Sequence, residues 1–189
     1  MEGLNSTDKE SQICKIKFHR GVEFNFAIDT STKGWRHRSR LIDKMAFASY
    51  NKRFEPARTR ADWLTKDEAI VDRYLADERC TFLFTVNGYY NLFASIEEAS
   101  KESNLKKMPK DLPVLFVSGK EDPVGNFGTG VEQVRKRFKQ VGMSDMTWIF
   151  YENDRHEILN ELDRDNVYRD LYAWLYVRMQ EPRRTKRGE

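Results

Sequence analysis

An α/β fold with a parallel sheet is what residues 109–181 predict, on three observations. Leu112-Pro-Val-Leu-Phe-Val-Ser118 is a short continuous apolar run, the pattern of a strand buried on both faces. Thr147-Trp-Ile-Phe-Tyr151 is a second β-rich run, and residues of helical period lie between the two. Strand, loop, helix, strand, loop, helix at this length implies parallel pairing with right-handed crossovers.

Within that half, Pro113 sits at the start of the first strand, where a missing amide donor does least harm. Gly119-Lys-Glu-Asp-Pro123 ends the strand in a turn. Val131, Val134, Phe138 and Val141 return to helical spacing, and Gly142 stops the helix as a left-handed cap residue does. After a polar loop at 153–157 a long helix places Val167, Leu171, Trp174 and Leu175 on one stripe.

Residues 35–108 read as helical. Leu41, Ile42, Met45, Ala46 and Ser49 fall near one face. Ile70, Val71, Tyr74 and Leu75 follow at helical spacing, and Thr65 with Glu68 fits a capping box at their start. Phe82 to Phe93 is aromatic-rich, and residues 94–107 read as a further, charged helix. In residues 1–34, Ile13 to Phe18 and Phe24 to Ile28 alternate with period two around His19-Arg20-Gly21, which predicts a hairpin.

The chain has 189 residues, 39% hydrophobic and 33% charged, with 33 basic against 30 acidic side chains. A net charge of +3 does not point to nucleic acid, and no nucleic-acid partner is expected. The surplus sits in the tail at Arg183, Arg184, Lys186 and Arg187, which reads as a solvated terminus. Cys14 and Cys80 make no disulfide framework and no zinc pattern; both read as small buried hydrophobes. No metal or cofactor is expected. Met1 to Gln12 lacks an apolar signal region and no stretch has spanning length, so a cytoplasmic location is expected.

Two residues stand where chemistry is done in such folds. Asp122 follows the first strand and His156 the second, so both loops leave the carboxyl edge of the sheet, where ligands bind. An aspartate bonded to one ring nitrogen fixes the histidine tautomer and leaves the other nitrogen free to take a proton. Each alone also reads blandly, Asp122-Pro123 as a turn and His156 as surface. His19 and His37 lie in basic segments and read as surface.

Leu112 to Asn126 resembles the segment around the triad acid of bacterial lysophospholipase and monoacylglycerol-lipase-like hydrolases, and Arg155-His-Glu-Ile-Leu-Asn-Glu161 resembles the segment around their triad histidine. Tyr50-Asn-Lys-Arg-Phe54, Pro56, Arg58-Thr59, Asp62-Trp-Leu64 and Val71-Asp72 resemble the cap of a bacterial branch of the family; Cys80, Phe82 and Phe84-Thr85 continue the likeness, with Thr81 where glycine is expected. The resemblance covers about residues 35–178. It implies a partial α/β-hydrolase fold, the carboxyl-terminal strands of a mostly parallel sheet with a helical cap. The implied division is an amino-terminal segment 1–34, a cap 35–108, the core 109–181 and a basic tail 182–189. It implies Asp122 as the acid and His156 as the general base. Phe82, Phe84 and Tyr89, with Tyr90 and Phe93, suit an apolar acyl channel or the packing of the cap itself.

In that family the serine precedes the acid, in a G-x-S-x-G elbow. The 189 residues contain no such elbow; Ser6, Ser11 and Ser31 lack the flanking glycines, and Gly142-Met143-Ser144 lacks the second glycine. Loss of the nucleophile costs about a millionfold in turnover, about 8 kcal/mol of barrier. The expectation is therefore two-thirds of a Ser-Asp-His triad, inert alone, in a fragment, a truncated product or one half of a split protein. The substrate of a completed site would be lysophospholipid, monoacylglycerol or a similar ester. The alternatives are a non-catalytic interaction module that binds a partner or a second copy of itself through an unpaired sheet edge, and one half of a split hydrolase that pairs with a chain carrying the amino-terminal half.

Overall fold

The computed structural model describes residues 15–17, 23–25 and 33–180. Cys14, His19, the three amino-terminal serines and the tail 182–189 lie outside the described residues. Strands β1 (Lys15–Lys17) and β2 (Glu23–Asn25) pair antiparallel, with Ile16 opposite Phe24, as the period-two runs predict. The chain divides into two compact units. One comprises residues 1–49, 78–112 and 136–145, the other 50–77, 113–135 and 146–189.

The first unit is built on two capped helices, α1 (Arg40–Phe47) and α3 (Val86–Ser100). The Ser39 hydroxyl accepts from the Ile42 amide at 3.2 Å and the Thr85 hydroxyl from the Gly88 amide at 3.1 Å, each satisfying one free donor of a first turn. Ile42 and Ala46 meet Val86, Tyr89 and Phe93 in one apolar cluster. The inward face of α1 is narrower than its sequence pattern, since Leu41 and Met45 are exposed. The charged helix expected over 94–107 is instead the end of α3; Lys101 turns extended and a short helix α4 (Glu102–Leu105) follows. Cys80 is exposed rather than buried, because it lies in the turn between helices and outside the apolar cluster.

The second unit holds α2 (Glu68–Ala76), strands β3 (Val114–Gly119) and β4 (Met146–Tyr151), and α6 (Arg164–Gln180). Helix α5 (Thr129–Gln140) connects the two strands. Thr65 does not cap α2. Its hydroxyl donates to the Asn160 carbonyl at 3.1 Å, and the Asp67 carboxylate takes the Ala69 and Ile70 amides instead. Val71 packs with Ala61 and Leu64, flanked by Trp63, Tyr74 and Leu75.

β3 and β4 pair in parallel from Val114 opposite Met146 to Gly119 opposite Tyr151. Val114 to Val117 are half-buried, so β3 is not the doubly covered strand its apolar run predicts; among the described residues its sheet has two strands. α5 ends in a Schellman motif. Gly142, at φ 94°, donates to the Lys139 carbonyl and the Met143 amide reaches Phe138. On α6, Val167 is buried and Trp174 half-buried, its indole donating to the Thr147 hydroxyl at 3.2 Å, but Leu175 is exposed and leaves the inward stripe. No helix among the described residues is long and apolar enough to cross a membrane.

Gly119 is where β3 meets the loop that follows β4. A Cβ there would fall inside the carbonyl oxygens of Asp154 and Arg155, which are backbone and cannot swing aside. Gly119→Ala is therefore expected to destabilise the chain by about 3 kcal/mol, the upper range for overpacking, read as a lowered urea midpoint. A second expectation concerns alkali. Burial and the bond to Asp170 push the Tyr151 phenol from 10.0 up to about 12, and burial with Asp43 pushes Tyr89 up as well. A raised folded value stabilises below the unfolded value and is lost as pH climbs through the folded one. An ultraviolet titration should thus show two tyrosines lagging, and stability falling above about pH 10.

Candidate active site

Parallel pairing sends both strands out of the sheet at the same edge, and the two loops stay bonded beyond it. The Lys120 amide donates to the Tyr151 carbonyl at 2.8 Å and the Glu121 amide to the Asp154 carbonyl at 2.9 Å. Asp122 stands one residue past Glu121, and His156 two residues past Asp154. Their side chains meet: Nδ1 of His156 lies 3.1 Å from Oδ1 of Asp122. A carboxylate only accepts, so Nδ1 carries the proton and the neutral ring keeps its lone pair on Nε2.

Asp122 is held by its own loop as well as by the histidine. Its Oδ1 also accepts the Val124 amide at 2.8 Å, an Asx turn, and its carbonyl accepts the Phe127 amide at 2.8 Å. The acid side chain is 10% exposed and the histidine 37%, so one end of the pair is sunk and the other open to a reactant. Past the acid the loop turns tightly through Asn126, Phe127 and Gly128, all at positive φ. Such backbone is costly for Asn and Phe and persists only when held by its surroundings. Arg53 lies 4.3 Å over the Phe127 ring and 3.5 Å from the Glu121 carboxylate, and holds the loop from outside.

The histidine loop is held from the other side by residues 62–66. The His156 amide donates to the Trp63 carbonyl at 3.4 Å and the Glu157 amide to the Leu64 carbonyl at 2.7 Å. The Trp63 ring stands 5.2 Å from the imidazole, centre to centre, and shields one side of it. The Arg155 guanidinium donates to the Asp62 and Thr65 carbonyls while lying 4.2 Å over the Phe54 ring. Under the loop, Lys66 bridges the buried Asp154 at 3.1 Å. Burial pushes the Asp154 carboxyl above its ordinary range, and the Lys66 ammonium pulls partly against it.

Phe82, Phe84 and Tyr89 belong to the first unit. Phe82 and Phe84 are exposed and meet edge to face at 5.1 Å. Tyr89 is fully buried, and its hydroxyl donates to Asp43 at 2.8 Å, so packing accounts for every part of that side chain. Sequence reasoning did not single out Gly119, Arg155, Lys66 or Glu161. Their signal was slight, since a glycine ending a strand and charged residues in a polar stretch read as turn and surface. Their importance lies in what crosses or covers them.

The chain matches the serine aminopeptidase S33 family over residues 26–163. Among solved structures it is similar to a highly thermostable carboxyl esterase from Bacillus coagulans, crystallised with glycerol, at 23% identity and a TM-score of 0.72 over 80% of this chain and 50% of that one. It is also similar to a lipase in its open form, at 21% identity and a TM-score of 0.74 over 88% of this chain and 53% of the other. The chain thus spans about half the length of these structures, and at such identity the likeness shows the fold. No curated protein matches it. The family match covers well over half of the sequence, and the parallel pair with its flanking helices is part of an α/β-hydrolase sheet: the chain belongs to the serine aminopeptidase S33 family of α/β-hydrolases.

Proposed function

We propose that Asp122 and His156 are the acid and the general base of a carboxylic-ester hydrolase whose serine nucleophile lies outside these 189 residues. The observation that carries the reading is the 3.1 Å contact from Nδ1 to the acid, which occupies that nitrogen and leaves Nε2, on the more exposed residue of the pair, for proton transfer. In hydrolysis Nε2 would take the proton of an attacking serine hydroxyl, and Asp122 would stabilise the imidazolium so formed. The same nitrogen would return the proton to the departing alcohol, and a water would repeat the cycle on the acyl-enzyme. An oxyanion hole would come with the missing elbow. The substrate would be a lysophospholipid, a monoacylglycerol or a related ester, with the protein cytoplasmic. Phe82 and Phe84 offer apolar surface suited to an acyl chain, whereas Tyr89 would serve only by packing behind them.

A second reading, an interaction module without catalysis, is favoured by α6. Tyr168, Tyr172, Leu175, Tyr176 and Met179 are all exposed on that helix, which also carries the charged residues Arg169, Asp170 and Arg178. A group of exposed apolar side chains rimmed by polar ones is a mark of an interaction surface.

Purified alone, the chain is expected to leave p-nitrophenyl esters intact and to resist fluorophosphonate labelling. Mixed with an amino-terminal chain that carries the G-x-S-x-G elbow, it should gain turnover that Asp122→Asn lowers about ten-thousandfold. Self-association or a stable complex that never becomes active would favour the interaction module, and esterase activity of the isolated chain lost in His156→Ala would overturn the need for an outside nucleophile. The imidazole itself gives a separate check. Nitrogen-15 spectra of neutral His156 should show the proton on Nδ1, and Asp122→Asn, whose amide can donate, should move it to Nε2.

A further inference from the structure

The histidine loop contains a buried carboxylate that neither strand pairing nor the acid–base pair explains. Glu161 is fully buried, five residues beyond His156, in a turn between the one-turn helix Ile158–Asn160 and α6. Its Oε1 accepts the Arg155 amide at 2.8 Å. Its Oε2 accepts the Lys66 amide at 3.1 Å, and the Lys66 ammonium stands 3.9 Å from the same oxygen.

These two amides belong to segments far apart in sequence. The segments also meet through His156 to Trp63, Glu157 to Leu64, the Arg155 guanidinium to Asp62 and Thr65, the Thr65 hydroxyl to the Asn160 carbonyl, and the Lys66 ammonium to the Asp154 carboxylate. On its far side the loop rests on Gly119 and the Glu121 amide. Of these groups the Glu161 carboxylate is the one that accepts main-chain amides from both segments, and one of its two bonds is to the residue adjoining His156.

We infer that Glu161 is the positioning residue of His156, bracketing Arg155 and Lys66 so that the imidazole stays on Asp122. The chemistry of the carboxylate fits the task. Both oxygens accept, as two facing N–H groups require, whereas a carboxamide of the same shape offers one acceptor and turns donor against donor at the other. Water cannot make up the loss at a fully buried site without opening it. A displacement of about 1 Å at such a base is enough to cost about a hundredfold in turnover. The inference rests on the reading of His156 as the base, but its test reads geometry and needs no nucleophile.

The test compares the full chain with Glu161→Gln by nitrogen-15 spectra and hydrogen exchange. In the parent, His156 should show one Nδ1-protonated ring with a slowly exchanging Nδ1 proton. In Glu161→Gln that proton should exchange about tenfold faster or more, together with the Arg155 and Lys66 amides, while amides in β3 stay as they were. A parent-like His156 beside loosened Arg155 and Lys66 amides would overturn the inference, leaving Glu161 a local brace. Absence of the Nδ1 proton in the parent would instead sink the acid–base pair, and an inert mixture with the elbow chain would bear only on catalysis. Should Glu161→Gln not fold, Glu161→Asp keeps the charge on an arm one methylene shorter that reaches only one amide. It should loosen His156 likewise, and an unchanged ring there counts against the bracket. The double variant Lys66→Met with Asp154→Asn removes the ammonium together with the charge of its buried partner, keeps both main-chain bonds to Glu161, and should leave His156 within about twofold of the parent. A loss as large as in Glu161→Gln would move the role to that ion pair and overturn it.

Discussion

The site depends on the crossing of two backbones at Gly119. The parallel register brings Gly119 opposite Tyr151, and the chain after β4 then passes directly over the glycine, with the Asp154 carbonyl taking the Glu121 amide. A side chain at 119 would hold the two loops apart by its own thickness. With none there, the residues just beyond come within hydrogen-bonding reach of each other, and Asp122 and His156 meet without any helix or long loop between them. The contact between the two side chains is thus an outcome of sheet geometry before it is an outcome of their charges.

Polar contacts hold this region more than apolar ones do. The apolar cluster of the unit, Ala61, Leu64 and Val71, is small, and the neighbouring segment 62–66 is irregular. Irregular backbone must find partners for its amides and carbonyls elsewhere. Here the carbonyls of Asp62, Trp63, Leu64 and Thr65 all accept from the histidine loop. Each bond contributes about 1 kcal/mol net, but a buried donor left without its acceptor costs about 1–3 kcal/mol. The Asp62 carboxylate shows the same logic: burial raises it, yet the Thr59 hydroxyl and the amides of Thr59 and Arg58 hold it below its ordinary range. The segment is therefore ordered by satisfying its polar groups, and a site edged by such a segment is sensitive to single polar substitutions.

The acid–histidine pair was legible because it needs only two strands, two loops and the rule that ligands gather at one sheet edge. Local signals also served for the hairpin at Ile16 and Phe24 and for the stop at Gly142. They failed where a distant group competed. Thr65 fits a capping box by spacing, but Asn160 claims its hydroxyl and Asp67 stands one residue before the helix with a better acceptor. Leu175 fits the stripe of α6 by period, yet Trp174 beside it takes the inward place by donating to Thr147. Glu161 lay inside the stretch that resembles the family, but a glutamate in a polar run gives no sign that it is sealed from solvent. Burial of a charge is set by the fold around it and has no local pattern.

The tryptophan beside His156 has an optical consequence. An imidazolium quenches indole emission at close range far more than the neutral ring does, and the Trp63 and His156 rings are 5.2 Å apart. Trp35, Trp148 and Trp174 have other surroundings, with Arg135 over Trp148 and Arg178 near Trp174. A proton gained at His156 would thus place a cation beside the Trp63 indole, so a native fluorophore stands where the proposed base would change its charge.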